Sequence, residues 1–268
     1  MNSKLNRQIR NICYAAFLAA LGVVLTRFAS YNYGFFRLGF GSIPIIISSL
    51  LTGPIYGALT GAIADLSGAM MFPSGPYFYG YTIDAALQGI IPYLVIRAFK
   101  GRYKYQALYS SFIILCIGAY VIAFVSLYDK YSSKSLNISF NLDTWVKVLI
   151  PFIVILYFAL LFTVALITFK IKKIHIPSRE EKYFSFYDIY LISLTNELFI
   201  SMSLLGLWNY LFFGLDYMIN SFTQLLIFSV NGILRSILLY LLMYPLCKID
   251  PSIASLSQDK HSRNIINN

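Results

Sequence analysis

The chain has 268 residues, of which 58% are hydrophobic and 12% are charged. Because soluble domains carry about one quarter charged residues, this composition excludes an ordinary soluble domain and predicts an all-α protein that crosses a membrane several times and contacts membrane lipid. The net charge of +10 does not indicate nucleic-acid binding, because the basic residues stand in short loops between apolar runs. That distribution is typical of the cytoplasmic loops of membrane proteins, so no nucleic-acid partner is expected.

The first apolar run, residues 12–28, follows a short basic segment. Arg27 spoils the small-residue cleavage pattern of a signal peptide, so the run is interpreted as a retained helix with a cytoplasmic N-terminus. The helix carries two pairs of small residues, each one turn apart, on adjoining faces: Ala15, Ala16, Ala19 and Ala20. Such faces let another helix approach closely, although alanine is also simply common in membrane helices.

A first outer loop at residues 31–40 contains Arg37 and Phe40 and leads into a short apolar helix at residues 41–51. About eleven residues are too few to cross a bilayer straight. This helix is therefore expected to cross with its irregular flanks or to lie partly inside the bundle. Two longer runs follow, at residues 55–72 and 83–99, and the glycines of the first predict a close-packed helix face.

The stretch Asp65–Thr82, which joins those two runs, cannot be one continuous helix. Its sequence PSGP ends the first helix, because proline lacks a backbone donor and glycine admits unusual backbone angles, and an aromatic run follows. Irregular backbone at membrane depth is tolerated where it is buried in protein or lines a cavity. The stretch therefore predicts the lid or floor of a pocket at the outer surface, with an aromatic belt that caps two helices as the alternative.

Four more apolar runs and a polar tail complete the chain; the runs cover residues 107–127, 145–169, 186–213 and 222–247, and the tail covers residues 248–268. Together the runs predict eight membrane segments in a single integral membrane domain, residues 1–268. An even number of crossings puts both termini on one side. The excess of lysine and arginine in the loops of that side predicts that both termini are cytoplasmic, in a cell membrane.

The sequence contains none of the motifs GxxxxGK[ST], HExxH and GxSxG, so no catalytic residue, metal or cofactor is predicted. Ionisable residues in membrane segments are costly and usually face a cavity or a partner. Asp65 and Asp84 flank the aromatic run, and Arg27 and Arg37 are expected on the same side of the membrane. They predict a pocket for a flat aromatic anion, since guanidinium binds carboxylate and rings stack on rings. The rings expected in its walls are those of Tyr77, Tyr79, Tyr81 and Trp208.

Several ordered motifs resemble the folate-specific S components of energy-coupling factor (ECF) transporters: RLGFGSIP at residues 37–44, GP at 53–54, AIADL at 62–66 and FPSGPYF at 72–78. The resemblance covers about residues 10–100. It implies a six-helix core formed by residues 12–104 and 186–247, with an inserted two-helix hairpin at about residues 107–169. It also implies that the protein captures a water-soluble vitamin outside and reorients against a transmembrane coupling subunit, powered by two cytoplasmic ATPase subunits.

The resemblance and the residues together predict two sets of site residues. The substrate-binding set is Arg27, Arg37, Phe40, Asp65, Pro76, Tyr77, Tyr79, Tyr81, Asp84 and Trp208. The partner-binding set, which the resemblance places against the coupling subunit, is Ala15, Ala16, Ala19 and Ala20. Where the resemblance leads us to expect an Asn-Thr pair before Trp208, this chain has Leu205-Gly206-Leu207. Folate is therefore one choice of vitamin among several.

Two alternatives stay open from the sequence. The chain is either an S component for another water-soluble vitamin or precursor, or an intramembrane enzyme that acts on a lipid with Asp65 or Glu197 as its acid or base. Copurification distinguishes the classes, because an S component brings down a coupling subunit and two ATPases or carries a small ligand.

Overall fold

The computed structural model describes residues 2–29, 31–33, 36–73, 77–99, 108–113, 116, 118, 186–214 and 217–249. Its elements in chain order are helix α1 (Asn2–Arg27), strands β1 (Tyr31–Tyr33) and β2 (Phe36–Leu38), helices α2 (Ser42–Thr52), α3 (Pro54–Met71), α4 (Tyr79–Phe99) and α5 (Phe186–Asn196), a π-helical segment (Glu197–Leu204), and helices α6 (Leu205–Phe213) and α7 (Tyr217–Ile249).

The described residues include three helical stretches that are long and apolar enough to cross a membrane, namely Gln8–Arg27, Tyr79–Phe99 and Phe186–Phe212. This finding confirms a helical membrane protein, the class that the composition predicts. The predicted hairpin at residues 107–169 lies outside the described residues, apart from a few helical positions near its start, and so does nearly all of the tail. The predicted total of eight segments extends over those same ranges.

Helix α2 lies inside the bundle and contributes most to its core. Every residue from Ile43 to Leu50 is buried, and α2 packs against α1, α3, α4 and α7. Eleven helical residues span only about 16 Å, so α2 cannot cross a bilayer unaided and is surrounded by the longer helices instead. It ends at Gly53, whose φ of +99° is open to glycine, and Pro54 then begins α3 at the position where a missing N–H costs nothing.

Helices α3 and α4 meet backbone to backbone through glycine. A Cβ added at Gly57 would strike the carbonyl oxygen of Gly89, and one added at Gly61 would strike that of Ala85. Only a residue without a side chain fits at these contacts, so the two helices approach as closely as small-residue faces allow in membrane proteins. This packing brings the ends of α3 and α4, which flank the aromatic run, close together.

Two local features go beyond what the sequence predicted. Within the predicted outer loop at residues 31–40, β1 and β2 pair as a short antiparallel hairpin with Asn32 opposite Arg37. The aromatic residues there favour extended backbone, and pairing satisfies backbone groups that a loop would leave to water. Residues 186–213 are not one uniform helix: the N–H of Leu205 donates to the carbonyl of Ile200, five residues back, so α5 and α6 are joined by a π-helical segment.

Candidate functional site

A cluster of aromatic rings surrounds Phe78, at the start of α4. Phe78 is 7% exposed and its ring centroid lies 4.7 Å from that of Tyr79, 5.6 Å from that of Tyr81, 5.6 Å from that of Trp208 and 4.1 Å from that of Phe212. Such pairs add stabilisation beyond the burial of their area. The rings come from the aromatic run and from α6, so they join the two halves of the described chain. We call these five residues, together with Tyr77 directly before Phe78, the aromatic cluster.

Two hydrogen bonds tie α4 to α6 beside these rings. The indole Nε1–H of Trp208 donates to Oδ1 of Asp84 over 3.1 Å, and the hydroxyl of Tyr81 donates to Oδ1 of Asn209 over 3.0 Å. The two α6 residues are consecutive, and their neighbours Leu207 and Tyr210 are 39% and 54% exposed. Trp208 and Asn209 therefore lie on the face of α6 that meets α4, one turn before Phe212.

A second chain of hydrogen bonds ties α4 to α3. Thr82 Oγ1 donates to Oδ2 of Asp65 over 2.6 Å, and the hydroxyl of Tyr77 lies 2.5 Å from Thr82 Oγ1. Because the single proton of Thr82 goes to the carboxylate, Tyr77 donates to Thr82. Asp65 thus holds Tyr77, just before the start of α4, and Thr82, in its first turn.

Asp84 is the acidic residue at the centre of this site. It is 5% exposed, and its Oδ2 atom has no hydrogen-bond partner within the described residues. A buried oxygen of this kind is an unused acceptor, and leaving it unpaired costs about 1–3 kcal/mol. It can accept an N–H or O–H from a small molecule that sits among the rings. The described residues contain no group of three or more His, Cys, Asp or Glu that could hold a metal.

A second set of polar residues lies where α5 meets the π-helical segment. Arg235 of α7 donates from Nη2 to Oε2 of Glu197 over 3.2 Å and from Nη1 to Oγ of Ser42 over 3.3 Å. The side chains of Arg235 and Glu197 are each 9% exposed. Asn196, beside Glu197, is also buried, and neither atom of its amide has a partner within the described residues. We call Ser42, Asn196, Glu197 and Arg235 the ion-pair cluster.

The structure brings together six of the ten predicted substrate-binding residues, those being Asp65, Tyr77, Tyr79, Tyr81, Asp84 and Trp208. Arg27 packs instead against α3, since a Cβ at Gly68 would lie 3.1 Å from its Nε. Arg37 lies in β2, and Phe40 packs against the hydrophobic core around α2. Pro76 lies outside the described residues.

The four alanines of α1 do not share one exposed face. Ala15 and Ala19 are buried, and the carbonyl of Ala15 accepts a hydrogen bond from Thr60 Oγ1 over 3.4 Å. The prediction that these two face a partner is therefore corrected: they face α2 and α3 of their own chain. Ala16 and Ala20 are exposed and remain available to a second protein.

Sequence reasoning missed Phe78, Asn209 and Phe212. Phe78 lies inside the predicted aromatic run, and Asn209 directly follows Trp208. Both could therefore have been predicted from their neighbours in the sequence. Nothing in the sequence signals the contact between Arg235 and Ser42, which are almost two hundred residues apart. Glu197, a candidate acid or base of the alternative enzyme, is held by Arg235 in the structure.

These observations define a helical membrane protein with a polar, ring-lined site between α3, α4 and α6. The chain is similar to the folate transporter FolT of Clostridium novyi (strain NT), with 38% identity over 85 residues. The matched segment covers 32% of this chain and about half, 49%, of that transporter. No protein-family model matches the chain.

Proposed function

We propose that this protein is the substrate-binding S component of an ECF-type importer and that it captures a water-soluble vitamin, folate before others, at the aromatic cluster. The observation that carries the proposal is the unused oxygen of Asp84, buried among rings from two helices. The similarity to a folate transporter supports the choice of folate.

The chemistry of the aromatic cluster suits a flat heterocycle that carries N–H groups. Rings stack against rings, and the free oxygen of Asp84 accepts from an N–H in a place that water does not reach. In the proposal Arg37, which lies in strand β2 just before α2, pairs with a carboxylate of the ligand. A guanidinium offers the planar pair of donors that a carboxylate accepts best.

The transport step in this proposal belongs to other subunits. A transmembrane coupling subunit contacts the exposed Ala16 and Ala20 of α1, and two cytoplasmic ATPases supply the energy. Small residues on an exposed helix face permit a close approach of this kind. Both termini are cytoplasmic in this arrangement, and the vitamin enters from the other side.

Calorimetry with folic acid on the purified protein tests the site. Asp84→Asn keeps an oxygen for the Trp208 indole and replaces the unused acceptor by an NH₂ group. We expect this variant to bind folic acid about tenfold to a hundredfold more weakly, the value of about 1.5–3 kcal/mol for a hydrogen bond to a charged group. Asp188→Asn, in the first turn of α5, is the matched control and should bind as the wild type does.

Two results would contradict the proposal. If folic acid does not bind the wild type, folate is excluded as the ligand. Mass spectrometry of the small molecule that copurifies then identifies the vitamin. Equal affinity in Asp84→Asn and wild type removes the aromatic cluster as the site.

The partner contact has its own test in Ala16→Trp. A bulky ring on an exposed helix face should block docking, so uptake into cells falls to background while calorimetric binding of folic acid is kept. Ala19→Trp is the comparison: Ala19 is 3% exposed, so the ring would strike α2 and α3 and lower stability and binding together. Loss of binding in Ala16→Trp would place that residue inside the fold rather than at a docking face.

A further inference from the structure

The π-helical segment decides which residues of α6 face α4. An α-helix turns about 100° per residue, and a π-helical turn holds one residue more than an α-helical turn. Everything after Leu204 is therefore rotated by about one residue relative to a continuous α-helix from Phe186. With that rotation, Trp208 and Asn209 reach Asp84 and Tyr81. Without it, Leu207 would take the place of Trp208 opposite Asp84, and Trp208 would take the place of Asn209.

The first residue of the π-helical segment is Glu197, the acid of the ion-pair cluster. Arg235 connects its carboxylate to α7 and to Ser42 at the start of α2. One turn earlier, Ser193 accepts a hydrogen bond from Ser236, the residue after Arg235. The end of α5 is thus fixed to α7 at two successive turns, immediately before the helix changes its winding.

A buried ion pair is seldom retained for stability alone. Well-packed apolar residues in its place are often neutral or stabilising, because taking two charges out of water costs several kcal/mol. Beside the pair, Nε of Arg235 and both amide atoms of Asn196 are also buried without partners in the described residues. These are costs that a purely structural contact would have no reason to carry at the point where a π-helical segment begins, and such segments are frequent at functional sites.

We infer that Glu197 and Arg235 are positioning residues for the ligand site: the pair holds the π-helical segment, and the segment aims Trp208 at Asp84. The inference rests on the proposed function for its link to ligand binding, but its geometric part does not need a ligand. The pair acts through Trp208 and does not touch the vitamin.

The indole N–H of Trp208 gives a direct readout. In a Trp145→Phe background Trp208 is the remaining tryptophan of the two in the sequence, so a ¹⁵N-labelled protein shows one indole resonance. Asp84→Ala supplies the reference position for a broken hydrogen bond. We expect the indole resonance of the neutral double variant Glu197→Gln, Arg235→Met to lie at that reference position. We also expect this variant to bind folic acid at least tenfold more weakly. An unmoved resonance in the folded double variant overturns the inference.

A deletion tests the winding itself. Removing Phe199, which is half exposed, takes out the extra residue, so the segment should become α-helical while α6 keeps its rotation and the indole resonance stays in place. In that deletion variant the ion pair has no π-helical segment to hold, so adding Glu197→Gln and Arg235→Met should leave the resonance and folic acid binding unchanged. Phe199→Ala, which changes the side chain but not the winding, is the matched control: in that background the double substitution should still move the resonance.

The outcomes separate the inference from the proposed function. A protein that binds no folic acid, but shows the indole shift in the double variant and its rescue by the deletion, refutes folate capture and upholds the positioning role. A protein that binds folic acid while the double substitution moves the resonance equally with and without the deletion refutes the positioning role. If the double variant fails to fold, its folding in the deletion background decides: a folded protein upholds the role, and an unfolded one overturns it.

Discussion

Two polar groups lie along the helix that runs from Phe186 to Phe213, one on each side of its π-helical segment. In the aromatic cluster, the hydrogen bonds of Asp65, Tyr81 and Trp208 each have one donor and one acceptor from different helices, and several of the rings are exposed. In the ion-pair cluster the charges are buried and polar atoms are left over. Exposure decides the cost of losing a polar contact: water can replace the partner of the exposed Tyr77 hydroxyl, but not the partners of the buried Asp84 or of the ion pair.

The largest effect is expected from breaking the buried pair on one side. Glu197→Leu leaves the guanidinium of Arg235 without its counter-charge, and we expect a loss of about 3–5 kcal/mol in the free energy of unfolding. The double variant Glu197→Leu, Arg235→Leu should lose much less, because no charge stays buried. Unfolding with a denaturing detergent measures both, and Phe199→Leu, at an exposed position of the same segment, should stay within about 0.5 kcal/mol of wild type. Equal losses in the single and double variants would show that the charges do not interact.

A middle-sized effect is expected from Trp208→Phe. The ring stays against Phe78, but Oδ1 of Asp84 loses its donor while it is still buried, which costs about 1–3 kcal/mol. The same unfolding titration measures it. Tyr210→Phe removes a polar group from an exposed position of the same helix and should change almost nothing. If the two variants lose the same amount, water reaches Asp84, and its contact belongs with that of the exposed Tyr77 rather than with the buried ion pair.

The smallest effect is expected from Tyr77→Phe. Its hydroxyl donates to Thr82, but the residue is 52% exposed, so water takes over the contact and the loss should be about 0.5 kcal/mol or less. Tyr79→Phe, at a residue that is 60% exposed, serves as the comparison in the same titration. A loss above about 2 kcal/mol in the free energy of unfolding would show that the Tyr77 hydroxyl is buried and that water does not replace its contact.

Local sequence patterns predicted much of the aromatic cluster and little of the ion-pair cluster. Asp65, Tyr77, Tyr81 and Asp84 lie within twenty residues of one another around a Pro/Gly break, so their proximity follows from the chain itself. Glu197 and Arg235 were recognisable as costly charges, yet their pairing depends on how α5 lies against α7, which no local pattern records. The spacing of apolar residues does not predict the π-helical segment either, because residues 186–213 are apolar on most sides and one extra residue in a turn does not change that pattern.

The sequence also does not determine how α1 is rotated about its axis. The alanine pairs of α1 stand on adjoining faces, and either pair could face outward by pattern alone. Ala15 and Ala19 are the buried pair, and the Thr60 hydroxyl of α3 lies 3.4 Å from the carbonyl oxygen of Ala15. Such a contact lies forty-five residues away in the chain, beyond any spacing rule.

The burial of α2 has a consequence for how the chain enters its membrane. An apolar helix of eleven residues is too short to be accepted by the insertion machinery as a span of its own. Because Gly53 and Pro54 turn the chain back within two residues, α2 and α3 would have to leave the aqueous channel together, as one preformed hairpin of about thirty residues. Until α4 and α7 arrive, Ser48 of α2 has Thr60 of α3 as the partner of its hydroxyl, at 2.7 Å. Synthesis of this protein therefore passes through a stage at which a helix destined for the centre of the bundle is shielded from lipid by its successor and by α1.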